Sequence, residues 1–398
     1  MSRRPFSFQW QVIFFTAMRL VVNVAYRMVY PLLPVFGAGL GVSLGALSGA
    51  LSTRSVVGML GVFLAPLADR YGRRLSMLVG MGLTVVGLST VVFWPSFTTF
   101  LIALILPNLG MQLMIPAMQA YLADRVPYNQ LGRAIGITEM SWALSSVVGL
   151  PVVVWLIGKN GWSAPFPLLT ILCGLMVVLL LGFVPSDRPD RHHREPIWKP
   201  FGTVLKSRVA VIALAFSLFS TIGNETFNFI FGVWLEDGFG MKAAGLGAAA
   251  AVIGIAELLG SSGAAGFADR IGKERSVAAG LALNCAAALL LPVIAVNPLG
   301  AQVGLFFFFI SYEFVLVSSL PLMSEVLPSA RATMMALTIA MFAGGRALGD
   351  LLSPWVYQFG IWGNVIVCAA FNVVALVFLR WVRPAAVVPA VIPSEENQ

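Results

Sequence analysis

The sequence predicts an all-α membrane protein: twelve transmembrane helices in two pseudo-symmetric six-helix halves around a central cavity. Three observations carry this. The 398 residues are 59% hydrophobic and only 11% charged, with a mean hydropathy of +0.89, which is too little polar material to coat a water-soluble globule of this size. Apolar runs of about 20 residues, the length that spans roughly 30 Å of hydrocarbon, recur along the whole chain. Finally, the charged phrase APLADRYGRR, which contains Asp69, returns 200 positions later as AGFADRIGKE, which contains Asp269. Runs this long predict helices, since barrel strands would alternate in polarity over about ten residues.

The spans fall at 9–35, 43–68, 75–95, 98–123, 131–157, 164–184, 209–235, 243–268, 276–296, 301–325, 331–358 and 360–379. The first follows Arg3 and Arg4 as a signal peptide would, but it is too long, contains Arg19 and Arg27, and precedes no small-residue cleavage site, so it reads as a retained helix. The second carries Arg54 and runs into the charged phrase; the third has no charge. The fourth holds Asn108, Gln112 and Gln119, the fifth Glu139 and the stretch SSVVGLP, and the sixth again no charge. In the second half Glu225 lies in span seven, Glu257 in eight, Glu313 in ten, and Arg346 with Asp350 in eleven, while nine and twelve have none. Charge within a bilayer must face protein or a water-filled cavity, so these helices should line an interior and every third helix should face lipid. That is a period of three nested in a period of six.

Between spans six and seven, PSDRPDRHHREPIWKPF is the one long polar stretch of the chain interior. The expected organisation is therefore a first half over 1–184, a linker over 185–206, a second half over 207–384 and a polar tail over 385–398. The halves echo each other beyond the phrase. Asp124 follows Asp69 by 55 residues and Glu325 follows Asp269 by 56, and a proline, Pro127 or Pro328, follows each of those acids by three. The net charge of +8 is sided: the basic residues sit in alternate connections, and the opposite ones hold only Lys159 and Lys242. The positive-inside rule then places both termini in the cytoplasm, which requires an even number of spans.

Several chemistries find no support. Gly158-Lys159 precedes Asn160 and Gly272-Lys273 precedes Glu274, so no phosphate-binding loop is present. His192 and His193, adjacent in the linker, have no metal-site or triad spacing, and Cys173, Cys285 and Cys368 lie inside spans as small core residues. The expectation is no enzyme activity, no cofactor, no metal and no nucleic acid partner; the bilayer is the surrounding partner.

On these residues the chain resembles the major facilitator superfamily of secondary transporters over essentially its full length. The superfamily's signature between its second and third helices is roughly Gly-x-x-x-Asp-Arg-x-Gly-Arg-Arg. It is matched here by Asp69, Arg70, Gly72, Arg73 and Arg74, with Ala65 replacing the leading glycine. The resemblance implies that Asp69, Arg73 and Asp124 form a cytoplasmic latch, and Asp269, Arg270, Gly272, Lys273 and Glu325 offer the same places in the second half. The glycine two residues after each Arg suits a tight turn that needs a permissive backbone. Gly149 and Pro151 partly match a helix 5 motif of the superfamily's antiporters. An Arg common in helix 4 of its proton-coupled members is absent, and Asn108 and Gln112 stand in that helix.

Arg19, Asn23 and Arg27, spaced four apart, share one face of the first helix, and Asn224 and Asn228 repeat the idea around Glu225 in the seventh. With Arg54, Asn108, Gln112, Glu139, Arg346 and Asp350 they are the expected cavity residues, Arg346 pairing with Asp350. Three arginines and one glutamate in the first half against four acids and one arginine in the second predict a positive wall facing a negative one. An organic anion would dock on the Arg19 and Arg27 side, with Tyr26, Tyr30, Trp142 and Phe227 against its apolar part. Five acids against four arginines leave one carboxyl without a partner, and Glu257 and Glu313, nearest the middle of their spans, are the expected proton carriers. The function expected is alternating-access transport of a small organic solute by a monomer in the bacterial inner membrane, as a proton-coupled exporter. The alternatives are proton-coupled uptake, uncoupled facilitation, or a transporter-like receptor that does not cycle.

Overall fold

The computed structural model describes residues 8–64, 72–185 and 199–382, and within them every regular element is helical. The first half comprises α1 (Phe8–Arg27), α2 (Leu33–Leu40), α3 (Leu44–Met59), α4 (Arg73–Phe93), α5 (Phe97–Ala123), α6 (Tyr128–Leu144), α7 (Leu150–Asn160) and α8 (Pro165–Phe183). A short helix, α9 (Lys199–Lys206), precedes α10 (Arg208–Phe239), α11 (Ala243–Ile271), α12 (Lys273–Ile294), α13 (Pro298–Val326), α14 (Arg331–Tyr357) and α15 (Ile361–Leu379). Among the described residues, eleven stretches are long and apolar enough to cross a membrane. The twelfth span is the broken pair α1 and α2, whose hydropathy is diluted by Gln9, Gln11, Arg19, Asn23 and Arg27.

Two spans expected to be regular helices depart from α geometry at a proline. Pro31 supplies no N–H and disfavours helix in the residue before it, so the first span breaks between Arg27 and Leu33. In the fifth span Pro151 cannot donate to residue 147, and the ladder slips by one residue: Leu150 N–H bonds Ser145 O, closing a π-type turn over Ser145–Gly149. The antiporter-like stretch thus marks a π turn between α6 and α7.

The charged phrase and its copy fold alike where they are described. Gly72 caps the N-terminus of α4 at φ 96°, ψ 148°, and Gly272 caps α12 at φ 95°, ψ 138°. That region is closed to side chains with a Cβ, so the chain can turn into its third and ninth spans only through glycine. At the other end of the bundle, Ser43, Ser96 and Asn297 cap α3, α5 and α13 by accepting from backbone N–H groups three residues on.

Of the four uncharged spans, α8, α12 and α15 are the least buried, at 22%, 33% and 33% of their apolar windows, while α4 reaches 44%. The larger value for α4 follows from its contact with α5, where Gly80 lies so close to Gly110 that a Cβ on either would fall within 2.5 Å of the other's carbonyl oxygen. None of the four contributes to the central cavity. Two of them nonetheless bury polar groups the hydropathy does not reveal. Asn372 of α15 donates to Asn284 of α12 (2.7 Å), Asn224 of α10 donates to Asn372 (3.1 Å), and Asn284 donates to the Phe308 carbonyl of α13 (3.0 Å). In hydrocarbon such a chain has no water to compete for it and fixes the packing of the second half.

Candidate functional site

A cavity of about 690 Å³ lies between the halves, walled by the first, fifth, seventh, eighth, tenth and eleventh spans. Its closed end is at the face away from the linker. There the Tyr30 and Pro31 carbonyls, in the break after α1, lie against Gly232 of α10, where a Cβ would come within 2.9 Å of both oxygens. Likewise Gly247 of α11 packs against Val154 of α7 and Gly254 against Ser146. Toward the linker face the walls part, and Glu139 in the wall is 48% exposed.

Two of the predicted arginines meet acids. Arg19, 6% exposed, holds Glu139 through both guanidinium nitrogens, at 2.5 and 2.8 Å, a fork that joins α1 to α6 inside the first half. Arg27 reaches across to Glu257 of α11, at 2.6 Å, and so ties the two halves together. That contact is an ion pair without hydrogen-bond alignment, and the Arg27 guanidinium also lies 4.4 Å from the centre of the Trp142 ring. The expected positive and negative walls are therefore cross-linked: charges in a poorly solvated space lower their energy by pairing.

Glu313 of α13 faces the same cavity beside this pair and accepts from Ser261 Oγ at 2.7 Å. Glu225 and Asn228 of α10 line it too, Asn228 Nδ2 donating to Glu225 Oε1 at 3.0 Å. Arg346 of α14 projects into the cavity and, among the described residues, makes no ion pair or hydrogen bond.

The other predicted cavity residues are elsewhere. Arg346 does not pair with Asp350, although the four-residue spacing allowed it. Asp350 is fully buried and turned toward the first half, accepting from Ser55 Oγ (3.4 Å) and Tyr30 Oη (3.5 Å). Arg54, 1% exposed, donates to the Tyr26 carbonyl (3.2 Å) and to Tyr30 Oη (2.9 Å) and stacks on the Tyr26 ring. Asn108 donates to the Arg54 carbonyl (2.7 Å) and Gln112 packs over Gly61, so both face α3. Asn23 donates to Ser141 (3.1 Å), Asn224 belongs to the asparagine chain, and Phe227 packs on Phe308. Arg54, Tyr30 and Asp350 thus form a buried cluster spanning both halves directly behind the cavity wall, to which Tyr30 contributes.

In the motif loops, Arg73 pairs with Asp124 and donates to the Ala120 carbonyl (2.7 Å), and Lys273 pairs with Glu325. Each ion pair joins the third span of its half to the fourth. Arg74 donates to the Leu181 carbonyl (2.7 Å), and Arg270 is exposed. Asp69 and Arg70, like His192 and His193, lie outside the described residues, as does the side chain of Asp269. Sequence reasoning overlooked Ser261 and Tyr312, because a serine in an apolar helix carries no signal until its neighbour Glu313 is seen.

Two six-helix halves enclosing a charged cavity sealed at one end define an integral membrane transporter. The chain belongs to the major facilitator superfamily, whose model matches residues 15–349. It is similar to an uncharacterised MFS-type transporter, YceJ, of Bacillus subtilis (strain 168), at 25% identity over 87% of this chain and 88% of that one. It also resembles the multidrug resistance protein MdtG of Rahnella sp. (strain Y9602), at 25% identity over 66% of each. Among solved structures, a D-xylose-proton symporter aligns at a TM-score of 0.74 over 94% of this chain and 97% of that one, with 18% identity, a likeness of fold.

Proposed function

We propose that this transporter is a proton-coupled exporter of a small organic solute, working by alternating access with the linker face in the cytoplasm. The observation that carries the reading is the cluster of Arg27, Glu257 and Glu313: two carboxylates from the second half against one guanidinium from the first, at the cavity wall. One negative charge is left over, and an uncompensated charge cannot cheaply pass through the occluded state between the two open ones. A proton on Glu313, or shared between Glu313 and Glu257, removes it. When the cavity opens to water the proton can leave, and a solute can enter in its place. The multidrug resistance relative supports the export direction, and the basic motif loops support a cytoplasmic linker face.

The test is flux in proteoliposomes with and without an imposed pH gradient, using a substrate found by counterflow of a labelled library. Glu313→Gln and Glu257→Gln should each lose gradient-driven accumulation and keep solute exchange, which needs no net proton movement. If both variants concentrate the solute as the parent does, coupling through these acids is wrong.

A further inference from the structure

We infer that the cavity takes a zwitterionic solute, with its anionic group on Arg346, its cationic group on Glu225 and an apolar body against the aromatic wall. The inference rests on the cavity being the transport site and specifies what enters it. Arg346 and Glu225 come from neighbouring helices, α14 and α10, which touch so closely that a Cβ on Gly349 would fall 2.6 Å from the Glu225 Cβ. Both side chains line the cavity. Nevertheless they form no ion pair with each other, and neither makes a direct salt bridge with any other described residue: Glu225 accepts from Asn228 alone, and Arg346 makes no hydrogen bond.

That arrangement differs in kind from the other charges in the space. Arg19 is neutralised by Glu139 and Arg27 by Glu257, and Arg27 is further held against the Trp142 ring. An opposite pair held apart at one wall of the cavity keeps its charge-assisted hydrogen bonds in reserve for a guest. A pure anion on Arg346 would meet the repulsion of Glu225 nearby, and a pure cation on Glu225 that of Arg346. A molecule carrying both charges satisfies the two at once, which is why complementary fields discriminate more than they attract. Tyr26 and Trp142, partly exposed on the opposite wall, leave an apolar surface for the rest of the molecule.

The experiment is equilibrium binding to the purified full chain without any gradient, so it reads site chemistry and is blind to coupling. Three probes share one body: phenylalanine (zwitterion), phenylalaninamide (cation) and N-acetylphenylalanine (anion), each followed by ligand-induced thermal stabilisation. Phenylalanine should bind about tenfold or more tightly than either singly charged probe, the effect of one charge-assisted contact. Arg346→Gln should move the preference to the cation and Glu225→Gln to the anion, opposite shifts that a merely misfolded variant cannot give. If the parent prefers a singly charged probe, if none of the three binds, or if the two variants fail to shift preference in opposite senses, the assignment falls. Gradient-driven flux of the Glu313→Gln variant is unaffected by that outcome and judges proton coupling separately.

Discussion

The ion pair between Arg27 and Glu257 links the halves inside the cavity, so removing it should measurably loosen the structure. At 2.6 Å, with side chains 11% and 12% exposed, the pair sits between the limits of water and dry protein. At an effective dielectric near 20, unit charges ~4 Å apart attract by ~4 kcal/mol, and the cost of stripping water from both ends offsets about half of that. A double-mutant cycle of Arg27→Gln and Glu257→Gln, read as reversible unfolding in mixed micelles, should therefore give a coupling of about 2 kcal/mol, a factor of about 30 in the folded population. The cycle cancels the contact of Arg27 with Trp142, because Arg27→Gln removes that contact whether or not Glu257 is present. Glu313 complicates the single variant Glu257→Gln, since it offers Arg27 a second carboxylate. The coupling should then be larger when the cycle is repeated in a Glu313→Gln background. A coupling below ~0.5 kcal/mol in both backgrounds, the range of exposed surface pairs, would refute the view that this pair joins the halves.

Two further outcomes follow from local geometry. Gly72→Ala and Gly272→Ala should each cost roughly 1–3 kcal/mol in thermal unfolding, because their φ of 96° and 95° is closed to alanine, whereas Gly49→Ala, with open space around its Cβ position, should be neutral or stabilising; equal effects at Gly72 and Gly49 would count against the turn. Arg54→Ala should destabilise by ~3–5 kcal/mol by stranding Asp350 and Tyr30 in the buried cluster, and Arg54→Lys should not rescue it, since an ammonium cannot reproduce the fork to the Tyr26 carbonyl and Tyr30 hydroxyl. A lysine variant with parental unfolding behaviour would show that the cluster needs only a positive charge.

The sequence by itself determined the environment and the plan. Hydropathy over windows of about 20 residues fixes what must lie in lipid, because no backbone polar group there can go unbonded. The repeated phrase announced two related halves, and its glycine was legible as a turn because a positive φ has few other solutions; Gly72 and Gly272 adopt matching conformations. The rarity of charge also selected the interior helices, since a charge in a bilayer is too costly to be casual. Pairing was another matter. Arg346 and Asp350 are one helical turn apart and looked like partners, and Arg19, Asn23 and Arg27 looked like one polar stripe. A helix of 3.6 residues per turn gives only the face a residue is on; which neighbour stands opposite depends on the rotation of each helix about its axis. Tertiary packing turned Asp350 toward Tyr30 and Ser55, sent Arg27 across to Glu257 rather than to an acid of its own half, and closed Arg54 away from the cavity. Arg346 and Glu225 were thereby left facing the same space, because the groups that would have neutralised them were already committed elsewhere.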